Sequence, residues 1–210
     1  MADITNNYRP NNHQIHIMNE ITPDNTSDWV ARLATYVDSL QPIDIRGGTT
    51  APITDPYDID GPVIDIYINS PGGHLASLNS ILYMLARARA KGARIRTNVM
   101  GSAASCASIL AIMGDPGLRI MGENAYNLIH YGTKTRTIRS EAEEAMMFRD
   151  VNHHTKLIKQ MYLDHTDIPQ KKLNSMLQAE TGYLYPDECL KLGVCDWILQ
   201  NNGKLINRQR

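Results

Sequence analysis

Gly101-Ser102-Ala103-Ala104-Ser105-Cys106-Ala107-Ser108 decides how this chain is read. The segment before it, Arg94 to Met100, predicts a strand, and Ser105 to Met113 predicts a helix. A serine at a strand-to-helix turn has its hydroxyl at the positive end of a helix, and small neighbours leave its Oγ reachable. That is a suitable place for a nucleophile. The bland alternative is a capping serine, because Ser and Ala crowd many tight turns. What stands before and after the stretch decides between the two.

Upstream, Val63-Ile64-Asp65-Ile66-Tyr67-Ile68 is mostly apolar and suits a buried strand. It ends in Asn69-Ser70-Pro71-Gly72-Gly73. A helix from about Leu75 to Ala90 then turns Leu78, Ile81, Leu82 and Leu85 inward. Strand, helix, strand, helix is a βαβ pattern, for which right-handed crossovers are expected. Earlier still, Gln14 to Met18 alternates weakly and reads as a first strand. Thr22-Pro23 offers an N-cap and an N1 proline to a helix carrying Trp29, Leu33, Tyr36, Val37 and Leu40 on one face. Residues 41–61 hold Pro42, Gly47, Gly48, Pro52, Pro56 and Gly61, and read as a long loop.

Downstream, Gly114-Asp115-Pro116-Gly117 stops the Ser105 helix. Leu118–Met121 and Tyr126–Tyr131 read as short strands, the second carrying His130. Ser140-Glu141-Ala142-Glu143 is a capping-box pattern that starts a long helix to about Asp164, with Met147, Val151, His154, Ile158 and Met161 on one face. Short helices follow at Pro169–Leu177 and Pro186–Leu192, the latter with Gly193 as its stop, and Val194–Leu199 is the last strand. The expected organisation is a flexible arm over residues 1–13, one domain over 14–200 with its long helix at about 140–164, and a polar tail over 201–210.

The chain has 210 residues, 42% of them hydrophobic and 20% charged, with a formal net charge of -1. That balance gives no general electrostatic reason to seek nucleic acid or anionic membrane as a partner. No apolar run approaches ~18 residues, and the N-terminus lacks a basic and apolar leader, so neither a transmembrane helix nor a signal peptide is expected. Cys106, Cys189 and Cys195 show no metal-ligand spacing; they predict reduced thiols in a cytoplasmic compartment and no metal site. His153-His154 are adjacent and do not form the i, i+4 pair of a helical metal site. Arg87, Arg89, Lys91, Arg94 and Arg96 form a basic run without an acid, read as a solvated helix end or an inter-subunit ion-pair surface. No phosphate-binding Gly-x-x-x-x-Gly-Lys-Ser/Thr motif is present, and no cofactor is expected.

Four ordered motifs carry a family resemblance: Ile68-Asn69-Ser70-Pro71-Gly72-Gly73, Gly101-Ser102-Ala103-Ala104-Ser105, Leu128-Ile129-His130, and Leu192-Gly193-Val194-Cys195-Asp196-Trp197-Ile198-Leu199. In this order and spacing the chain resembles the Clp protease proteolytic subunit (ClpP) family, from about Ile15 to Leu199. The resemblance implies a crotonase/ClpP-like α/β spiral of ββα units with a protruding "handle" helix. It implies a serine endopeptidase acting on unfolded polypeptides inside homo-oligomeric stacked rings, fed by a separate AAA+ ATPase unfoldase, with neither nucleic acid nor membrane as a partner. Ser105 matches the family's nucleophile and His130 its general base. Gly73 and Cys106 match the positions whose backbone N–H groups form the oxyanion hole.

The triad aspartate of the family falls here on Thr181, within Ala179-Glu180-Thr181-Gly182-Tyr183. A threonine hydroxyl can accept an imidazole N–H but brings no negative charge to imidazolium. Three cases are open: Thr181 as a neutral orienter, which this reading favours; Glu180 as the acid; or a catalytically weak or inactive structural ring subunit. A crotonase-fold acyl-CoA enzyme is a further alternative, since that fold also uses an oxyanion hole. Tyr131-Gly132-Thr133-Lys134 replaces the Gln-Pro that typically follows the family's histidine, and His74 follows Gly73. Ser102 and Ser108 are left without a role.

Overall fold

The computed structural model of the protein describes residues 12–40, 53–131, 140–178 and 182–207. Its organising element is a long strand, β3 (Arg94–Ala104), paired in parallel with β2 (Val63–Ser70), which in turn pairs in parallel with β1 (Asn12–Ile17). Ile15, Ile17, Ile64, Ile66, Ile68 and Ile95 are all almost fully buried, as β-branched side chains on a covered parallel sheet should be. Helix α1 (Pro23–Ser39) is capped by Thr22, whose Oγ1 accepts from Asn25 N at 3.2 Å. It turns Trp29, Leu33 and Val37 inward. Helix α2 (Leu75–Ala90) does the same with Leu78, Ile81 and Leu85.

Strand β3 pairs twice on its far side. Thr97–Val99 pair with β4 (Arg119–Gly122), and Ser102–Ala104 pair with β5 (Tyr126–Ile129). The sheet thus turns away from its own plane at Met100–Gly101. On the β2 side the register shifts between Ile68 and Ser70, and Asn69 fills the gap: its Oδ1 accepts from Ser102 N at 3.0 Å and from Ser102 Oγ at 3.1 Å. Strand therefore continues through Gly101-Ser102-Ala103-Ala104, four residues beyond the end the sequence predicts. Small residues have weak strand preference, but tertiary pairing on both edges overrides it.

Helix α3 (Cys106–Ile112) follows at once and is buried along its whole length. Helix α4 (Glu141–His165), capped by Ser140 Oγ accepting from Glu143 N at 3.2 Å, has a single fully buried residue, Tyr162. Its predicted inner face, Met147 to Met161, is only half-buried, and Met146 and Phe148 are largely exposed. Helix α5 (Gln170–Gln178), β6 (Gly182–Leu184), α6 (Pro186–Lys191), β7 (Trp197–Leu199) and β8 (Leu205–Asn207) complete the fold. β6 lies antiparallel on β5 and β8 antiparallel on β7.

Three expectations are corrected. The residues expected to form only a polar tail include β8, whose backbone ladder on β7 needs no apolar pattern. Asn12 and His13, assigned to the arm, belong to β1; residues 1–11, and residues 41–52 of the long loop, lie outside the described residues. The basic run, read as lacking an acid, finds its acids within this chain, although Arg87, Arg89 and Arg94 remain partly exposed. Arg87 pairs with Asp38 at 2.8 Å, Arg89 and Arg94 share Asp115, and Lys91 Nζ donates to Val37 O at 2.7 Å. Arg96 is buried against Asp65, with Nε–Oδ1 at 2.5 Å and Nη2–Oδ2 at 2.7 Å, and lies over the Tyr57 ring. A second buried pair, Arg119–Asp196 at 2.6 Å, ties β4 to the turn before β7.

Candidate active site

The second half of β3 delivers Ser105 to the start of α3 with φ 54° and ψ -122°. Ser105 is the sole non-glycine residue with positive φ among the described residues. Side chains avoid this region because Cβ meets the backbone, and such strain persists only where the surroundings enforce it. Here the enforcement is visible: Ser105 N donates to Leu128 O at 2.9 Å, and Ser105 O accepts from Ser108 N at 3.0 Å. Ser105 sits at the N-cap position but makes no side-chain cap bond, so its Oγ is not spent on the helix. The bland capping reading of this serine fails on that point.

Gly72 and Gly73 lie beside it. Both have positive φ, 97° and 143°. A Cβ on Gly72 would stand 2.5 Å from Ala104 O, 2.7 Å from Ser105 Cβ and 2.9 Å from Cys106 N, so only glycine allows this approach. Ile21 straps the pair from the other side: its N–H donates to Gly72 O at 2.6 Å and its carbonyl accepts from His74 N at 2.8 Å. In a trans peptide the N–H points opposite to the C=O. The Gly72–Gly73 peptide, with its oxygen held by Ile21, therefore turns Gly73 N–H away from Ile21. Among the described residues neither Gly73 N–H nor Cys106 N–H donates to a backbone carbonyl.

Ser105, His130, Gly73 and Cys106 line one cavity of about 700 Å³. Val151, His154, Thr155, Ile158 and Tyr162 of α4 form its far wall. The four residues come from three segments of the chain, and their convergence was not readable from local pattern. His130 follows directly on β5, half-buried and facing the cavity. His154 is held by Asp150 Oδ1 at 3.0 Å on the same helix. Cys106 Sγ donates to Gly73 O at 3.0 Å. Burial pushes the Cys106 thiol up to about 11, against smaller downward effects from the Gly73 backbone and the Ser105 side chain. It is a neutral thiol beside the serine, not a competing nucleophile. None of the three cysteines is in a disulfide among the described residues.

Thr181 and Glu180 lie outside the described residues, as do Gly132, Thr133 and Lys134. Gly182, next after Thr181, pairs with Ile129, the neighbour of His130. Sequence reasoning missed Ile21, whose role rests on two backbone bonds and leaves no side-chain signal. It also missed Ser108, whose hydroxyl is buried between Asn127 and Tyr162.

The Clp protease family model matches residues 59–202, a span that holds both glycines, Ser105 and His130. The chain belongs to the Clp protease family. The fold is the mixed α/β ClpP-like fold. The ATP-dependent Clp protease proteolytic subunit of Deinococcus radiodurans is 30% identical over 145 residues, covering 65% of this chain and 64% of that protein. Subunit 2 of Leifsonia xyli subsp. xyli is 26% identical over 179 residues, covering 85% of this chain and 77% of the relative. Subunit 2 of Streptomyces coelicolor is 30% identical over 138 residues and is covered over 61% of its length. The chain thus spans less than two thirds of the Deinococcus and Streptomyces subunits. Among the described residues no helix is long and apolar enough to cross a membrane.

Proposed function

We propose that this member of the Clp protease family is a serine endopeptidase that cleaves unfolded polypeptide through an acyl-enzyme, as a homo-oligomeric ring. The observation that carries the reading is the strained Ser105, uncapped and facing a cavity shared with His130 and with the amides of Gly73 and Cys106. His130 takes the proton from Ser105 Oγ as that oxygen attacks the peptide carbonyl. The developing oxyanion accepts from Gly73 N–H and Cys106 N–H; loss of one such donor costs roughly 2.7–4 kcal/mol in a studied protease. Collapse returns the proton from His130 to the leaving amine, and water then releases the acyl group. Thr181 is assigned as a neutral orienter of the imidazole. Relatives named as ATP-dependent support a separate AAA+ unfoldase as feeder, and the exposed Met146 and Phe148 on α4 support ring contacts.

The test is labelling with a fluorophosphonate. The expected result is one adduct on Ser105 in the wild type, none in Ser105→Ala, and slow labelling in His130→Ala. Absence of label together with peptide hydrolysis unaltered by Ser105→Ala overturns the enzyme reading. Thioester turnover insensitive to serine reagents would favour the acyl-CoA alternative instead. A monomeric mass in sedimentation at micromolar concentration overturns the ring. A second reading, a ring subunit with little or no turnover, is favoured by one observation, the uncharged Thr181 where the family has aspartate.

A further inference from the structure

Beneath the cavity runs a polar chain that the hydrolysis scheme does not use. The Tyr162 hydroxyl, on α4, stands 2.7 Å from Ser108 Oγ, on α3. Ser108 Oγ donates to Asn127 Oδ1, on β5, at 2.6 Å. Ser108 has one proton and gives it to Asn127, so Tyr162 O–H is the donor to Ser108. The three residues are buried, at 0%, 1% and 2% exposure for Ser108, Asn127 and Tyr162. Ala107 and Ile109, on either side of Ser108, and Ile129, two residues after Asn127, belong to the apolar core.

Such a chain is a poor choice for packing alone. Buried polar groups need every partner, and Asn127 Nδ2 has no acceptor among the described residues. What the chain gains is position. Ser108 lies three residues after Ser105 and its N–H donates to Ser105 O. Asn127 lies three residues before His130, and Leu128 between them accepts the Ser105 amide. Tyr162 closes the third side and borders the cavity itself. Burial, against a smaller downward effect from the Ser108 hydrogen bond, pushes the Tyr162 phenol upward and keeps it neutral.

We infer that Tyr162 and Ser108 are positioning residues for Ser105 and His130: the chain from Tyr162 through Ser108 to Asn127 fixes α3 against β5, and so nucleophile against base. The inference rests on the peptidase reading above. It predicts that a single hydroxyl on α4 governs the chemical step and leaves substrate binding alone.

Tyr162→Phe and Ser108→Ala each remove one hydroxyl without adding bulk. Both are compared with wild type for the rate of fluorophosphonate labelling, for kcat and KM on a short fluorogenic peptide, and for Tm. The expected result is a roughly 10- to 100-fold fall in kcat and in labelling rate, with KM within about twofold. The double variant is expected to be no worse than the poorer single one, because both break one chain. If Ser108→Ala does not fold, Tyr162→Phe carries the comparison. Wild-type kcat and labelling in Tyr162→Phe overturn the inference, as does a loss that vanishes well below the variant's Tm. An unlabelled wild type removes the peptidase reading and this inference with it, whereas a labelled wild type with an unimpaired Tyr162→Phe removes the inference alone.

Discussion

Ile21 and Gly73 form a one-residue parallel bridge, and that bridge aims the Gly73 amide. A Cβ on Gly73 would stand 2.8 Å from Ile21 N and closer still to Ile21 O, both fixed backbone atoms. Gly73→Ala must therefore open the bridge. The expected outcome is a fall in kcat of about 10²–10³, the size of losing one oxyanion donor. Gly203→Ala is the control: it also has positive φ, 82°, but open space around it. It is expected to lower stability by roughly 1–2 kcal/mol from backbone strain and to leave peptide kcat at the wild-type level.

Assignment of Thr181 as orienter makes a prediction that separates it from its neighbour. Thr181→Ala is expected to lower kcat by about tenfold, Thr181→Asp to raise it, and Glu180→Gln to leave it unchanged. Steady-state kinetics on one peptide suffice. The reverse pattern, with Glu180→Gln crippled, transfers the role to Glu180.

The Cys106 thiol, held up to about 11 by burial, is expected to resist alkylation at neutral pH. Its linkage to stability has a definite sign. A folded-state pKa raised above the unfolded value contributes stability that is fully present below about 9 and is lost as pH rises towards about 11. The contribution is of the order of 2–3 kcal/mol. Tm should fall more steeply between pH 9 and 11 in the wild type than in Cys106→Ala, as read by scanning calorimetry.

Asp65 and Arg96 are buried together, at 2% and 5% side-chain exposure. Asp65→Asn removes the compensating charge and one acceptor, leaving the buried guanidinium with one amide oxygen, Pro56 O and the Tyr57 ring. The expected loss is about 3–5 kcal/mol in urea unfolding. Replacing both, as Asp65→Leu with Arg96→Met, should recover most of it.

The sequence was most legible where local chemistry acts locally. Thr22-Pro23 and Ser140-Glu143 mark helix starts within a residue, and α2 spans Leu75–Ala90 as its apolar period predicts. The Gly72-Gly73 pair and the Ser105 turn were visible because few residues fit those backbones. Less legible was whatever depends on distant partners. Arg87, Arg89 and Arg96 look unpaired in sequence because their acids stand 49, 26 and 31 residues away. The strand through Gly101–Ala104 looks like a turn until Asn69 and β5 supply its edges. Ser108 looks idle because Tyr162 lies 54 residues on.

The positive φ of Ser105 has a bearing on how such a protein changes over generations. Glycine is the residue that accepts this backbone without strain, so Ser105→Gly relieves the local cost that catalysis demands. Loss of the nucleophile is then downhill in folding free energy, and a lineage freed from selection for turnover would drift towards a sturdier, silent shell.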